Sequence, residues 1–231
     1  VVPATARPLP MLSINPSRHT MKLTLAYCPS AWSLVPYVLL TEAGAEFDTL
    51  NINLAKGENT HPDYLRINPK GKVPALIIDG RPQTENVAIQ TWIARQFPAA
   101  GLLSDDPMDN VQALSAMAWC ASGIHPRITQ QSRPERFCDM EGSADNVQAL
   151  GSAGMFEQFA IADTMLAGRA WFFDRFSCAD AYFYWCFRRG GRFRPDLSGF
   201  RNCVAHKRRM EQRPSVQKLL TYEAQVQAHF A

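Results

Sequence analysis

The sequence changes its secondary-structure pattern once, between Leu103 and Pro107, and this change limits the folds that the chain can adopt. Before this point, short strand-like runs alternate with helical segments; after it, the pattern is helical throughout. Alternating strands and helices are typical of an α/β sheet, whereas consecutive helices pack on one another. The predicted fold class is therefore α/β plus all-α, with one domain over residues 21–102 and an all-helical domain over residues 107–231.

The first domain has the predicted element order β-α-β-(α)-β-β-α. Proline is tolerated in a helix only in the first turn, where its missing N–H would have had no partner. Pro36 therefore places the start of the first helix near residues 32–36, with Ser33 as its N-cap and Gly44 as its C-terminal cap. The remaining elements are strands at 22–27, 46–54, 73–78 and 82–84, a helical turn within 56–66, and a helix at 86–96.

The second domain contains a spacing that starts a helix. Ser177 and Asp180 have the S-x-x-D pattern of a capping box, in which the acidic side chain reaches back to the N–H of the cap residue. We expect this pair to be structural rather than catalytic. The predicted helices are 110–131, 145–166, 179–187 and beyond, 200–211 and 215–229.

Charge and hydropathy argue against two kinds of partner. The net charge of +3 at pH 7 is too small to indicate a nucleic-acid site. No apolar run approaches the roughly 20 residues that a membrane helix needs. A cluster of arginines is expected to be solvated surface, with a site that attracts anions as the alternative; its members are Arg188, Arg189, Arg192 and Arg194.

The six cysteines are thinly spread and form no C-x-x-C pair. No spacing of His and Cys suggests zinc, so no metal is expected. A chain of this length needs no disulfides to fold, and reduced thiols are usual in the cytoplasm. We therefore expect a cytoplasmic protein whose cysteines are mostly small core residues.

Residues 1–20 differ from the rest of the chain. They hold four prolines and show no clear period. They also lack the charged-then-apolar layout of a signal peptide. We expect a flexible extension, with the folded chain beginning near Met21.

Four segments, taken in order, resemble the glutathione transferase family. They are a strand entering a Cys/Ser-bearing turn at 28–33, followed by 68–76, 84–89 and 177–182. The resemblance extends from Met21 to near the C-terminus and is closest to bacterial classes, particularly the Beta class. It implies a thioredoxin-like first domain that binds glutathione as co-substrate, with the active cleft between the two domains.

The resemblance also implies which residues hold glutathione. In this family the Val73–Pro74 bond is cis, so that the backbone of Val73 pairs with the cysteinyl part of the ligand. Glu85 would neutralise the ammonium group of the γ-glutamyl residue, and Asn86 would cap the following helix and present its N–H to the carboxylate. Two lysines match positions that often reach charged or polar parts of the ligand: Lys56 and Lys72.

Several residues compete for the task of stabilising the glutathione thiolate. The Beta-class catalytic cysteine aligns with Trp32, which cannot do that work. Ser30 falls near the serine of Zeta-like members, and Ser33 could donate from the helix start. Cys28 precedes a proline, as in Omega-like members that form mixed disulfides with glutathione, and its position before a helix could lower its pKa. The alternative for Cys28 is a small buried residue that never meets a ligand.

These candidates lead to three predicted functions. The leading one is the addition of the glutathione thiolate to a small hydrophobic electrophile, in a pocket built by the helical domain. His125, which resembles a Beta-class histidine above the thiol site, would belong to this machinery. The alternatives are a glutathione-dependent thiol-disulfide oxidoreductase that uses Cys28 and a non-catalytic ligand-binding protein. The resemblance further implies a homodimer, with Phe97, Trp92 and Phe137 as interface material.

Overall fold

The computed structural model describes residues 21–193 and 196–231 and has the predicted two-part fold. The predicted extension over residues 1–20 lies outside the described residues, as does Arg194. In the first part the strands are β1 (Leu23–Tyr27), β2 (Asp48–Asn51), β3 (Ala75–Ile78) and β4 (Arg81–Thr84), with helices α1 (Leu34–Glu42), α2 (Pro62–Ile67) and α3 (Asn86–Gln96). In the second part the helices are α4 (Pro107–Trp119), α5 (His125–Ser132), α6 (Ala144–Met165), α7 (Cys178–Gly190), α8 (Arg201–Glu211) and α9 (Pro214–Phe230).

The strands form one mixed sheet in the order β2-β1-β3-β4. β1 runs parallel to β2, and β3 runs antiparallel to both β1 and β4. Pro74 stands just before β3 and Pro82 lies in the edge strand β4, the two places where a residue without an N–H leaves the ladder intact. α1 packs on α7 and α9, so the turn between β1 and α1 faces the helical part.

β2 is shorter than the predicted strand at 46–54. The side chain of Asn53 accepts hydrogen bonds from the N–H groups of Ala55 and Lys56 at 3.1 and 3.2 Å, and its own N–H donates to Glu58 Oε2 at 2.7 Å. This Asx-type turn takes the backbone N–H groups that a strand would need. The chain after β2 therefore reaches the domain boundary as a loop.

α1 begins where Pro36 predicts, but its cap differs. Ser33 is the N-cap residue by position, yet its side chain makes no capping bond. Instead Ser33 Oγ accepts from the N–H of Cys28 at 3.0 Å and donates to the carbonyl oxygen of Cys28 at 3.1 Å. Ser33 is thus the N-cap residue as predicted, but its hydroxyl closes the turn between β1 and α1 and does not cap the helix.

The predicted helix at 110–131 is divided in two. A wide π turn at Cys120–Ile124 separates α4 from α5. Pro126 lacks an N–H and cannot continue a regular helical ladder. Gly123 lies under the Trp119 indole, where a Cβ atom would stand 2.7 Å from the ring. π turns of this kind often accompany functional sites, and this one delivers His125 to the domain boundary.

α7 is the central helix of the second part and is buried from Cys178 to Phe187. At its start, Asp180 is fully buried and accepts hydrogen bonds from the N–H and Oγ of Ser177 at 2.9 and 2.8 Å. The other carboxylate oxygen accepts from the N–H of Phe172 and from His206 Nε2, each at 3.0 Å. The predicted capping box is thus present and joins three segments of the helical part.

Two properties bear on the expected class of protein. No described helix is both long enough and apolar enough to cross a membrane, and the described residues contain no group of three His, Cys, Asp or Glu placed to hold a metal. All six cysteines are free and all except Cys138 are buried. This confirms that most of them are core residues.

We expect Ser177→Ala to lower the free energy of unfolding by about 0.5–2 kcal/mol, the usual effect of losing an N-cap side chain. Urea unfolding followed by circular dichroism measures it. Ser122→Ala is the control, because Ser122 is exposed and bonds only to a carbonyl of its own helix. Equal stability of the two variants would contradict the structural role.

Candidate active-site cleft

An open cleft of about 900 Å³ lies between the α/β part and the helical part. One wall consists of the turn after β1, the loop after β2 and the segment before β3. The other wall consists of α5 and the turn after it, one face of α7 and the end of α9. Residues of the first wall include Cys28, Ser30, Trp32, Lys72 and Val73, and those of the second include His125, Arg133, Arg136, Trp185 and Arg189.

Ser30 is the residue of the turn that the surrounding structure holds most firmly. Its φ of 60° lies in the left-handed region that non-glycine residues seldom adopt. Its N–H donates to Glu223 Oε1 at 2.5 Å, and its carbonyl oxygen accepts from Trp185 Nε1 at 3.3 Å. A guanidinium nitrogen of Arg192 donates to Ser30 Oγ. The hydroxyl proton of Ser30 is therefore left to donate into the cleft.

Glu223 is a carboxylate from α9 that is only 3% exposed. An unpaired charge in such a place is costly, so it must find partners. Its second oxygen pairs with Arg188 of α7 at 2.5 Å. Glu223 thus joins α9, α7 and the turn that carries Ser30.

The other two candidates in the turn are placed differently. Ser33 is fully buried, lies outside the cleft lining and has its hydroxyl engaged by Cys28. Cys28 lines the cleft but is only 8% exposed. Burial raises the pKa of its thiol above the ordinary value, although nearby Arg189 acts in the opposite direction. Of the two alternatives for Cys28, the structure favours the small buried residue over the thiol with a lowered pKa.

The Val73–Pro74 peptide is cis, as predicted. Val73 and Lys72 line the first wall of the cleft, whereas Lys56 lies outside its lining. The carbonyl oxygen of Lys72 accepts from the Tyr64 hydroxyl at 2.7 Å and from Asn68 Nδ2 at 2.6 Å. These bonds fix the backbone just before β3.

Glu85 and Asn86 also lie outside the cleft lining. Glu85 is the N-cap residue of α3, with a φ of 70°, and its exposed carboxylate pairs with Lys70. Asn86 is the first residue of the helix and not its cap, so the predicted capping role is wrong. Its buried side chain instead donates from Nδ2 to the carbonyl oxygen of Trp32 at 3.1 Å. The bond ties α3 to the turn after β1, which no local pattern indicates.

His125 lies beside Trp32 and Trp185, with its ring in direct contact with the Trp32 indole. Its Nε2 is 3.1 Å from the hydroxyl of Thr129, one turn further along α5. The structure therefore brings together Cys28, Ser30, His125, Lys72 and Val73. It leaves Ser33, Lys56, Glu85 and Asn86 outside the lining.

Comparison with known proteins decides the family. The family model described as "Glutathione S-transferase, N-terminal domain" matches residues 21–95. A glutathione S-transferase of Escherichia coli is 30% identical over 207 residues, which cover 87% of this chain and 98% of that protein. This chain belongs to the glutathione S-transferase family.

Two solved structures of the family have the same architecture. A glutathione transferase homologue from Sulfitobacter with bound glutathione is 28% identical, with a TM-score of 0.83 over 87% of this chain and 98% of that one. A Beta-class glutathione S-transferase of Sphingomonas chungbukensis is 32% identical, with a TM-score of 0.78 over the same shares. These likenesses confirm the predicted family resemblance and the thioredoxin-like domain followed by a helical domain.

Sequence reasoning missed two residues that shape the cleft of this transferase. Glu223 lies near the C-terminus, 193 positions from the serine that it holds. Arg189 was expected at the solvated surface, but it is half-buried and lines the cleft. The clustering of arginines was a signal for the second residue, whereas no sequence signal pointed to the first.

The cleft of this transferase keeps His125 neutral. Burial lowers the pKa of the imidazole to about 2, and the positive charges of Lys72, Arg189 and Arg136 act in the same direction. The ring can therefore accept or donate a hydrogen bond near neutral pH, but it cannot supply a positive charge to a thiolate.

This shift gives a prediction for the stability of the transferase. Below pH 6.5 the unfolded chain binds a proton at His125, whereas the folded chain does not. The free energy of unfolding that the neutral His125 contributes above pH 6.5 is therefore lost as the pH falls toward 2. Between pH 6.5 and about pH 5 we expect the free energy of unfolding to fall more steeply for the wild type than for His125→Gln, by up to about 1.4 kcal/mol per pH unit. Urea unfolding measures both slopes.

The same substitution at the exposed His229 is the control. Parallel pH curves for the wild type and His125→Gln would show that the histidine is protonated in the folded protein.

Proposed function

We propose that this transferase binds glutathione along the α/β wall of the cleft and adds its thiolate to an electrophile held by the helical wall. Solved relatives of the same architecture contain glutathione, and the cis Val73–Pro74 bond borders the cleft as family membership leads one to expect. The sulfur would form a bond to the electrophilic carbon while the leaving group departs with its electron pair. The proton of the thiol would leave to solvent before the attack.

Ser30 is the residue that we propose as donor to the thiolate. This proposal rests on one observation: two contacts hold Ser30 in place. The Glu223 carboxylate fixes its backbone, and Arg192 donates to its Oγ, so that the remaining O–H can point into the cleft. A donor held in advance stabilises developing or resident negative charge without reorganisation. The Ser33 hydroxyl is not free to donate to a ligand, because it accepts a hydrogen bond from the N–H of Cys28 and donates one to the carbonyl oxygen of Cys28.

The geometry favours addition over thiol-disulfide exchange. Exchange needs a thiolate on the protein, and burial raises the pKa of Cys28. No other described cysteine lines the cleft. Trp32, which occupies the place of the Beta-class cysteine, is an apolar wall beside His125.

We expect Ser30→Ala to lose tenfold or more in kcat/KM with chlorodinitrobenzene, about 1.4 kcal/mol in the barrier, whereas Cys28→Ser keeps most of the activity. Steady-state assays of both variants, with the same assays on a mixed disulfide of glutathione, decide between the functions. If Cys28→Ser abolishes turnover of the disulfide while Ser30→Ala stays active on both substrates, the protein is an oxidoreductase. If the wild type binds glutathione but turns over neither substrate, it is a binding protein.

At the far end of the same site, we propose that the γ-glutamyl group lies at the start of α3, with its ammonium group beside Glu85. Lys70 already pairs with this carboxylate, so the ligand would share or replace that pair. Glu85→Gln should weaken glutathione binding roughly tenfold, as expected for the loss of a charged hydrogen bond. Isothermal calorimetry measures it, with Glu157→Gln on the exposed face of α6 as control. Equal affinities of the two variants would remove Glu85 from the site.

The homodimer stays a prediction. Of the residues expected at its interface, Trp92 and Phe97 pack against the core, and Phe137 is 45% exposed but borders the cleft. Met108 and Val111, one turn apart on α4, are more exposed, at 64% and 58%. An apolar pair of this kind on one helix face suits a contact with a second copy.

A further inference from the structure

The helical wall of the cleft carries three arginines that have no acidic partner. They are Arg133 and Arg136, at and just after the end of α5, and Arg189 on α7. None of the three forms an ion pair with an acidic side chain in the described part of the chain, and no described side chain of the lining is acidic. Glu135, which lies between two of them in sequence, pairs with neither.

Two other arginines of the helical part are paired with carboxylates. Arg188 pairs with Glu223, and Arg213 pairs with Glu42 at 2.7 Å. The guanidinium carbon of Arg189 lies 5.2 Å from the centroid of the Phe193 ring. Burial lowers the pKa of its guanidinium, and the charges of Arg192, Arg133 and Arg188 act in the same direction. Arg189 is half-buried, whereas Arg133 and Arg136 are exposed. The mutual repulsion of like charges favours an anionic ligand between them.

The same wall is also apolar. Ile128 and Trp185 lie in it, and the rings of Phe137 and Phe230 border the cleft. Across the cleft, Trp32 supplies a further aromatic surface. Such a site fits a molecule with an apolar body and a charged end, because a few placed polar groups orient a ligand that apolar contacts hold.

We propose that the second substrate of this transferase is an electrophile with an apolar or aromatic body and a carboxylate or similar anionic group. The three arginines would bind that group. This inference rests on the proposed function and narrows the predicted small hydrophobic electrophile. Glutathione itself brings carboxylates, but the residues proposed to hold it, among them Ser30, Val73 and Glu85, belong to the α/β part and not to the helical wall. Arginine suits the purpose because its planar donors match a carboxylate in two-point contact.

The test uses two aryl chlorides of similar shape, one anionic and one neutral: para-chloro-meta-nitrobenzoate and its amide. In both, the glutathione sulfur bonds to the ring carbon as the carbon–chlorine bond breaks, and chloride leaves with the bonding electrons. The quantity measured is kcat/KM for the acid divided by kcat/KM for the amide. Comparing this ratio between variants and wild type cancels the intrinsic reactivity of the two compounds.

We expect Arg189→Gln to lower the ratio roughly tenfold, the size of one lost charged hydrogen bond. The triple variant with Arg133→Gln and Arg136→Gln added should lower it further. Arg208→Gln is the matched control, because Arg208 is exposed on α8 and lies outside the lining. An unchanged ratio in the triple variant overturns the proposal.

Two further outcomes separate this proposal from the proposed function. If the triple variant keeps the ratio but binds glutathione more weakly in calorimetry, the arginines serve glutathione and the proposal is overturned. If the wild type turns over neither these two compounds nor chlorodinitrobenzene, the proposed function fails, and binding of the unreactive meta-nitrobenzoate and meta-nitrobenzamide, followed by tryptophan fluorescence, decides. Preference for the benzoate in the wild type but not in the triple variant supports an anion site; equal binding refutes it.

Discussion

The buried carboxylate of Glu223 is the interaction on which the arrangement of the cleft depends. A carboxylate in this position must be paired, and it accepts from the N–H of Ser30 and from Arg188. A non-glycine residue in the left-handed region costs on the order of 1 kcal/mol or more and persists only when its surroundings hold it. Glu223 supplies that restraint, so the conformation of the turn in the α/β part is set by a helix of the other part. Contacts across the domain boundary are therefore part of the site.

This dependence explains how one turn can carry two residues of contrasting chemistry. The Ser33 hydroxyl bonds to the backbone of Cys28, and the Glu223 carboxylate accepts from the N–H of Ser30 from the helical side. Cys28 is therefore held against the core, and Ser30 is left at the cleft. Burial favours the neutral thiol of Cys28 and the neutral ring of His125. The positive charge of the cleft comes instead from the half-buried Arg189 and from three exposed residues, Arg133, Arg136 and Lys72. The resulting site is cationic without a protein thiolate.

The sequence predicts the features of this structure that depend on contacts between near neighbours, and it does not predict those that depend on contacts between distant residues. Pro36, the capping pair of Ser177 and Asp180, and the helix Asn86–Gln96 rest on contacts between near neighbours, and all three predictions are confirmed. The break at Cys120–Ile124 was missed because it depends on how one indole packs, although Gly123 and Pro126 stood in the sequence. The side chains of Asn86 and Ser33 were assigned to caps because local propensity favours that use, whereas tertiary packing gave them other partners. Glu223 accepts a hydrogen bond from Ser30, which is 193 positions away in the sequence, and no periodicity or motif in the sequence predicts that contact.

The central claim is that a fixed Ser30, and not Cys28, meets the thiol of glutathione. A crystal structure of the protein with glutathione tests it most directly, because it reports the position of one sulfur atom. We expect that sulfur to lie within hydrogen-bond distance of Ser30 Oγ, with the Ser30 N–H still bonded to Glu223 and the ligand backbone against Val73. A sulfur bonded to Cys28 Sγ, or a Ser30 hydroxyl turned away while Ser33 reaches the ligand, would contradict it.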